Sequence, residues 1–347
     1  MLSPKKIIFL TIGEPGYSRS WTYFNGAKKL SANVEFIKID SSNLFKQFLQ
    51  IKKQVSKDHI FVVMSPSQYL VPFVRLFLGK NIVLDAGWSL FEGTVISRKR
   101  YGIFGSIAIK NYFIDFISSH IAKKIILETK LQKKFYSKLF LVKRRKCEVL
   151  YTGVDEESFQ IDHSYTTPPD FFNNSKIVLF RGKYNPEAGI EVLAQATNLL
   201  KEEQITFWVF CPGLPTNIDF SRNTFISREI LSKNKITQLQ KSCTIALGQL
   251  AKHNRLKRTI PHKAFESAFL STPYLTAGNK GISEIFTEGT EIASFSPGNS
   301  IELVDKIKSL INDSDKLSEM SSLIHKKYRK TCSQKILAQS FIEIAKY

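Results

Sequence analysis

The chain has 347 residues, of which 43% are apolar, so it is long enough for two domains and too apolar to be disordered. Its four cysteines are far apart and too few to cross-link a protein of this size, which excludes a disulfide scaffold and indicates a reducing compartment. The net charge is +20, and residues 1–150 hold 26 Lys and Arg against 9 Asp and Glu, so a basic surface is expected in the first half.

Short apolar runs alternate with segments of helical period along residues 1–160. Strands that are buried on both faces read as continuous apolar runs, so this alternation predicts an α/β domain with a doubly wound, mostly parallel sheet. The first run is too short for a signal peptide, and no segment has eighteen uninterrupted apolar residues, so no membrane span is predicted. The predicted strands are residues 5–12, 34–39, 60–64, 82–84, 125–128 and 149–151.

The same alternation restarts in the second half, after a polar, proline-bearing segment that is typical of a linker. Its predicted strands are residues 177–180, 206–210, 224–227, 244–247, 274–276 and 291–295, and its predicted helices are 186–201, 230–242, 262–270, 300–311 and 314–329. The sequence therefore predicts an N-terminal acceptor-side domain (1–160), a linker (161–175), a second Rossmann-like domain (176–331) and a terminal helix (332–347). Packing of that helix back on the first domain is one interpretation.

Four stretches, residues 149–155, 177–190, 207–213 and 260–284, carry motifs in a recognisable order. The last reads Ile-Pro-His-Lys-Ala-Phe-Glu266, followed by Ser-Thr-Pro273 and Gly-Ile-Ser-Glu284. Together they resemble glycosyltransferase family 4, the retaining GT-B enzymes, in a divergent form with an Ile-Pro-x-Lys donor motif. The resemblance implies a GT-B fold, in which two doubly wound Rossmann-like domains face each other across a cleft that binds the ligand.

The resemblance also implies a donor site for a nucleotide sugar. Glu266 would bind the ribose hydroxyls, and fixed cations would stabilise the charge that bond cleavage leaves on the departing diphosphate. Residues 82–92 resemble a motif facing the acceptor, and residues 13–16 with Ser18 resemble the glycine loop after the first strand. The predicted catalytic residues are Asp85, Lys183 and Lys263; the predicted donor-binding residues are Gly16, Arg181, Gly182, Gly213, Arg228, Lys263, Glu266 and Glu284.

Some charged positions depart from the family pattern. Ala188 stands where many members have a lysine before the glycine, and Lys183 stands where they have an arginine. Arg258 stands where many members have a second glutamate. Arg258, with Lys252, Arg255 and Lys257, is a candidate for restoring positive charge near the phosphates. These departures leave a non-catalytic GT-B subunit, or a partner-binding protein at the membrane, as an alternative function.

The reaction implied by the resemblance is transfer of a hexose or hexosamine from a nucleotide sugar to a glycan or lipid-linked acceptor, with retention. UDP is the expected carrier because it is the most frequent, and neither a metal nor another cofactor is expected. The segment Asp313-Ser-Asp315 lies between two predicted helices, where these residues are favoured as N-caps, so it is not predicted as a metal site. A nucleic-acid-binding protein is the other alternative, but no recognised nucleic-acid module is present and nucleic acid is not a predicted partner.

Two basic clusters bracket the aromatic residues 101–120, which predict either a pair of core helices or a membrane-docking hairpin. A basic side chain near an anionic leaflet contributes roughly 1 kcal/mol to binding. The clusters therefore predict a cytoplasmic protein held peripherally at the inner face of an anionic membrane, with a solvated helix face as the alternative interpretation. The residues assigned to this membrane or acceptor surface are Arg98, Lys99, Arg100, Lys133, Lys134, Lys143, Arg144 and Arg145.

Overall fold

The computed structural model of the chain describes residues 5–12, 19–98, 101–161 and 164–346. The chain divides into two units: Met1–Asp155 with Cys332–Tyr347 form the first, and Glu156–Thr331 form the second. Residues 156–175, which span the predicted end of the first domain and the predicted linker, therefore belong to the second unit. The terminal segment, residues 332–346, belongs to the first.

The first unit alternates strands and helices around one parallel sheet. Its elements up to residue 149 are β1 (Ile7–Thr11), α1 (Arg19–Lys29), β2 (Val34–Lys38), α2 (Leu44–Gln54), β3 (Ile60–Met64), α3 (Val71–Phe77), β4 (Ile82–Gly87), α4 (Ser106–Ile121), β5 (Lys124–Leu127), α5 (Lys130–Leu139) and β6 (Cys147–Val149). The six strands lie in the order β2-β1-β3-β4-β5-β6, and every pairing is parallel. The strand order reverses at β1, because β2 lies on one side of that strand and β3 on the other.

The second unit repeats this architecture. Its elements are β7 (Lys176–Arg181), α6 (Ile190–Leu199), β8 (Ile205–Phe210), β9 (Thr224–Ser227), α7 (Lys233–Ser242), β10 (Ile245–Leu247), α8 (His262–Phe269), β11 (Tyr274–Ala277), β12 (Ala293–Phe295), α9 (Ser300–Ile311) and α10 (Ser314–Thr331). The strand order is β12-β11-β10-β7-β8-β9, again wholly parallel. The chain then returns to the first unit as α11 (Gln334–Lys346).

Both faces of the first sheet are covered, which explains the continuous apolar runs of its strands. Ile8 and Leu10 of β1 face the apolar cluster that α2, α3 and α5 complete. Ile7 and Phe9 face the opposite cluster, which contains residues of α1 and α11. There the Tyr23 and Phe341 rings stack with centroids 5.4 Å apart. The terminal helix is thus part of the first unit's core.

The α/β prediction of two doubly wound parallel sheets is confirmed, with local differences in the bounds of some elements. Strand β6 runs Cys147–Val149, two residues earlier than predicted, because these residues pair with Ile125–Leu127. Residues 101–120 were predicted as two helices or a hairpin, which is wrong, since Ser106–Ile121 form the single helix α4 and residues 101–105 precede it as turns. Residues 106–121 contain neither glycine nor proline, so nothing interrupts that helix. No helix of the described residues is long and apolar enough to cross a membrane.

Candidate functional site

In the second unit, buried charged side chains gather where the strand order reverses. Strand β7 has β8 on one side and β10 on the other, so the crossovers leave from β7 in opposite directions and open a crevice at its carboxyl end. The residues that follow β7 and β10, and the first turn of α8, meet at this point. In open α/β sheets this position is where ligands bind.

Lys263 occupies this crevice. It is in the first turn of α8, and its amine lies 4.2 Å from the centroid of the Phe180 ring. The amine donates a hydrogen bond to Gly248 O at 3.3 Å and contacts Gln249 Oε1 at 3.5 Å. Burial, and secondarily the nearby Arg181 charge, lower the pKa of Lys263 to about 7. A desolvated amine at a helix start is well placed to meet an anion.

Gly182 leaves the space that the Lys263 amine fills. A Cβ on Gly182 would lie 2.9 Å from Lys263 Nζ, and the backbone φ of Gly182 is 151°. Both facts favour glycine directly after β7. The glycine therefore lets the amine approach the backbone at the strand end.

Glu266 lies one turn after Lys263 on the same helix, and it is engaged on both carboxylate oxygens. The Arg181 guanidinium forms an ion pair with Oε2, and His262 Nδ1 lies 3.1 Å from Oε1. Arg181 and Glu266 are both largely buried, whereas the His262 side chain is half exposed. Of the predicted donor residues, the structure thus brings Arg181, Gly182, Lys263 and Glu266 together.

The other predicted site residues of the second unit follow neighbouring strands; they are Gly213, Arg228 and Glu284, predicted to bind the donor, and Lys183, predicted to be catalytic. Gly213 follows β8 in a left-handed turn with φ 80°, and Arg228 Nε donates a hydrogen bond to Leu214 O at 2.9 Å, so these two are close. Lys183 is exposed, and Asn185 donates a hydrogen bond to its carbonyl oxygen. Glu284 ends the short helical turn Ile282–Glu284 and is half buried.

Asp85 has a different setting in the first unit. It lies in β4 and is fully buried. Arg19 Nε lies 3.1 Å from one carboxylate oxygen, and the Ser20 hydroxyl donates a hydrogen bond to the other. These contacts fix the start of α1 to β4. The catalytic role predicted for Asp85 stays a prediction, and Gly16, with the rest of the predicted loop 13–16 and Ser18, lies outside the described residues.

The structure shows the surroundings of Ala188 and of Arg255, one of the residues considered for restoring positive charge. Ala188 is buried, and Gly189 has φ 70° with room for no Cβ, since that atom would lie 2.5 Å from Ala251 N. Arg255 Nη1 binds both carboxylate oxygens of Glu187 at 3.0 and 2.8 Å. The Arg255 charge is therefore balanced by Glu187 and is not an unshared cation for phosphate.

The predicted basic surface of the first unit is solvent-accessible where the structure describes it. Lys134, Lys143, Arg144, Arg145 and Arg98 are exposed and Lys133 is half buried, whereas Lys99 and Arg100 lie outside the described residues. Among the described residues, no group of three His, Cys, Asp or Glu side chains could hold a metal ion. Asp313 Oδ1 accepts a hydrogen bond from Lys316 N at 2.9 Å, which is an N-cap contact at the start of α10.

Three residues of the crevice were not singled out from the sequence: Phe180, Gly248 and Gln249. Phe180 lies under the Lys263 amine, and a Cβ on Gly248 would lie 2.3 Å from Thr276 Oγ1. The available signal for Gly248 was a glycine directly after the predicted strand 244–247. Phe180 reads as an ordinary core residue of β7, so no sequence signal marks its contact with lysine.

Comparison with known proteins agrees with this architecture. Residues 187–339 match the model of a family described as glycosyl transferase-like. No curated protein matches the chain in sequence. The GT-B fold is confirmed by solved structures that cover nearly the whole chain at low identity.

Three such structures illustrate the likeness. Sucrose-phosphate synthase from Thermosynechococcus elongatus has a TM-score of 0.74 and 11% identity, over 99% of this chain and 98% of its own. An E. coli protein described as trehalose-6-phosphate, bound with UDP-2-fluoro glucose, has a TM-score of 0.70 and 8% identity, over 99% of both chains. HepE from Anabaena, in complex with UDP-glucose, has a TM-score of 0.68 and 12% identity, over 97% of this chain and 98% of its own. The chain therefore has a GT-B fold with a glycosyl transferase-like segment at residues 187–339.

Proposed function

We propose that the chain is a nucleotide-sugar-dependent glycosyltransferase whose donor diphosphate binds at the end of β7, against Lys263. The observation that carries the proposal is the buried Lys263 amine at the switch point of the second sheet, inside the segment that matches the glycosyl transferase-like model. A desolvated cation next to helix α8 would stabilise the negative charge that develops on the departing diphosphate.

The proposed donor is a UDP-sugar. HepE, a solved structure with the same fold, is a complex with UDP-glucose, and the E. coli structure holds UDP-2-fluoro glucose. Glu266 would bind the ribose hydroxyls, and Arg181 would hold the Glu266 carboxylate in place. Membership of glycosyltransferase family 4, with the Ile-Pro-x-Lys motif, is part of the proposal, as is catalysis without a metal ion.

The proposed reaction transfers a hexose or hexosamine to a glycan or lipid-linked acceptor, with retention, at the cytoplasmic face of a membrane. Retention follows from the family resemblance, and a lipid-linked acceptor follows from the basic and aromatic segment of the first unit. A catalytic role of Asp85 would require its ion pair with Arg19 to open, because the carboxylate is fully buried. The exposed basic side chains of the first unit support membrane binding.

Nucleotide binding is the first test of this proposal. We expect UDP and one or more UDP-sugars to raise the Tm of the wild type more than guanosine or adenosine diphosphates do, because a ligand that binds only the folded state stabilises it. Glu266→Gln is expected to reduce the shift while retaining the shape of the side chain beside Arg181. Glu319→Gln, at an exposed position of α10, is the matched control and should shift as the wild type does.

A Tm that no nucleotide raises would overturn the donor site and favour the non-catalytic subunit. Equal nucleotide-induced Tm shifts in Glu266→Gln and the wild type would show that Glu266 does not contribute to nucleotide binding.

The lowered pKa of Lys263, about 7, predicts that UDP binding takes up a proton. Below pH 7 the free amine is already charged. Above pH 7 it is neutral until the diphosphate restores its charge, so UDP affinity should fall by up to about tenfold per pH unit between pH 7.5 and roughly 9. Calorimetry in two buffers with different ionisation enthalpies measures the uptake directly.

At pH 8 the phosphate groups are fully ionised, so the lysine is the expected source of the uptake. Lys263→Met should bind UDP more weakly and without proton uptake. Uptake that persists in Lys263→Met would assign the proton to another group.

A further inference from the structure

Helix α4 of the first unit buries several polar residues and exposes several large apolar ones, unlike an ordinary surface helix. Its inward side carries polar residues that are fully buried: Asp115, Ser118 and Ser119. Each is used inside the unit, since Asp115 accepts a hydrogen bond from Phe91 N at 2.8 Å, Ser118 donates one to Gln68 O at 2.7 Å, and Ser119 bonds Tyr136. A helix that faces water normally buries its apolar residues and exposes its polar ones.

The outward side of α4 is apolar. Ile109, Phe113 and Ile117 recur every four residues and form one exposed stripe, and Ile107 is exposed in the first turn of the helix. In the segment that leads into the helix, Ile103 is 63% and Phe104 is 92% exposed. We call these six residues the α4 surface.

This concentration is unusual within the described part of the chain. Of its eighteen exposed large apolar side chains, eight lie between Tyr101 and Leu141. Scattered exposed apolar residues need no explanation, but a contiguous apolar patch on a protein marks a binding surface for a protein or a membrane. The α4 surface is such a patch.

The chain segment that carries the α4 surface is strongly basic. Residues 93–147 contain fourteen Lys and Arg, and their only carboxylates, Asp115 and Glu128, are both buried. The basic turn 143–146 adjoins the end of the helix, because Lys146 Nζ donates hydrogen bonds to Ser119 O and His120 O at 2.9 and 2.8 Å. Exposed Lys110 lies on the helix itself. An occupant of this surface must therefore be apolar at its centre and anionic around it.

We propose that the α4 surface docks the first unit on an anionic lipid bilayer, with helix α4 lying in the interface and Phe104 and Phe113 inserted between the acyl chains. Apolar insertion bordered by lysine and arginine is the chemistry of interfacial helices. A second copy of the chain fits less well, since it would bring two positive surfaces together. Nucleic acid would match the charge but leave the apolar centre without a partner. The docking deepens the proposed function, because it would place the transferase at a lipid-linked acceptor.

The test is co-sedimentation of the full chain with vesicles of phosphatidylcholine alone and with added phosphatidylglycerol. The wild type should bind the phosphatidylglycerol vesicles, and added salt should weaken the binding. Phe104→Gln with Phe113→Gln should weaken it by about tenfold or more. Leu199→Gln with Ile301→Gln, in the second unit, is the matched control, since these side chains are 57% and 67% exposed, and it should bind as the wild type does.

A charge pair completes the design. Arg144→Gln with Arg145→Gln should weaken binding to anionic vesicles by about tenfold or more, at roughly fivefold per basic residue. Lys201→Gln with Lys241→Gln removes the same charge from exposed positions of the second unit and should change the binding little. If both double variants weaken vesicle binding equally, the binding depends only on the net charge of the chain, and the assignment to the α4 surface is overturned.

Other results would also overturn the proposal. These are a wild type that does not sediment with anionic vesicles, a Phe104/Phe113 variant that binds as well as the wild type, self-association abolished by that variant, or preferential binding of short oligonucleotides. The UDP thermal shift, measured on the same variants, separates the two proposals. If the Phe104/Phe113 variant keeps the UDP shift, the donor site stands whatever the vesicles show, and vesicle binding without any UDP shift supports docking alone.

Discussion

Lys263→Met is expected to reduce turnover of the nucleotide sugar by about 10²–10³-fold, the usual cost of removing one preorganised group that stabilises transition-state charge. The Lys263 amine is buried between Phe180 and Gly248 O, so water cannot easily take its place beside a departing diphosphate. Methionine retains the unbranched stem and removes the charge. The measurement is release of UDP from the UDP-sugar that gives the largest thermal shift.

The Tm of Lys263→Met tests whether the substitution disturbs the fold. Since burial lowers the pKa of Lys263, loss of the amine should leave the Tm unchanged or raise it. Lys201→Met is the matched variant at an exposed position of the second unit, and a reduction of less than about tenfold is expected there because a solvated lysine acts through a high dielectric. Normal turnover by Lys263→Met would show that the diphosphate binds elsewhere.

Much of the fold could be predicted because parallel strands covered on both faces leave a strong pattern. Strands such as β3 and β8 are uninterrupted runs of Ile, Val, Phe, Trp, Thr and Met, and the predictions matched their positions closely. Helix α4 shows where the pattern fails. It is apolar on most of its circumference, so its period does not reveal which side faces the sheet, and only its buried hydrogen bonds settle that.

The candidate site was predictable only in part. Lys263 and Glu266 stand out because a lysine and a glutamate three positions apart at a predicted helix start resemble a family motif. The contacts of these residues were not predicted. Arg181 is itself a predicted donor residue, but it pairs with Glu266 from more than eighty positions away, and the hydrogen bond of Lys263 goes to a backbone oxygen. The ion pair of Asp85 with Arg19 was invisible for the same reason, because it joins two elements separated along the chain.

The Arg181–Glu266 ion pair gives the second large expected effect, this time on stability. Both side chains are largely buried, so removing one partner leaves an uncompensated charge in a low-dielectric site. Glu266→Ala should therefore lower the free energy of unfolding of the second unit by about 3–5 kcal/mol, measured as a shift of its urea transition. This is why the nucleotide test uses Glu266→Gln, which keeps a hydrogen-bond acceptor beside the guanidinium.

A double variant separates two contributions to the loss of stability, namely the cost of an unpaired buried charge and the cost of lost packing. Arg181→Met with Glu266→Leu removes both charges and should recover at least half of the lost stability, because apolar replacement of a buried pair is often neutral. The matched surface pair is Arg222 with Glu202, whose side chains are both mostly exposed, and Glu202→Ala should cost about 0–1 kcal/mol. If Glu266→Ala costs no more than Glu202→Ala, the Arg181 guanidinium must be hydrated or paired elsewhere in solution, and the proposed positioning of Glu266 by Arg181 would be wrong.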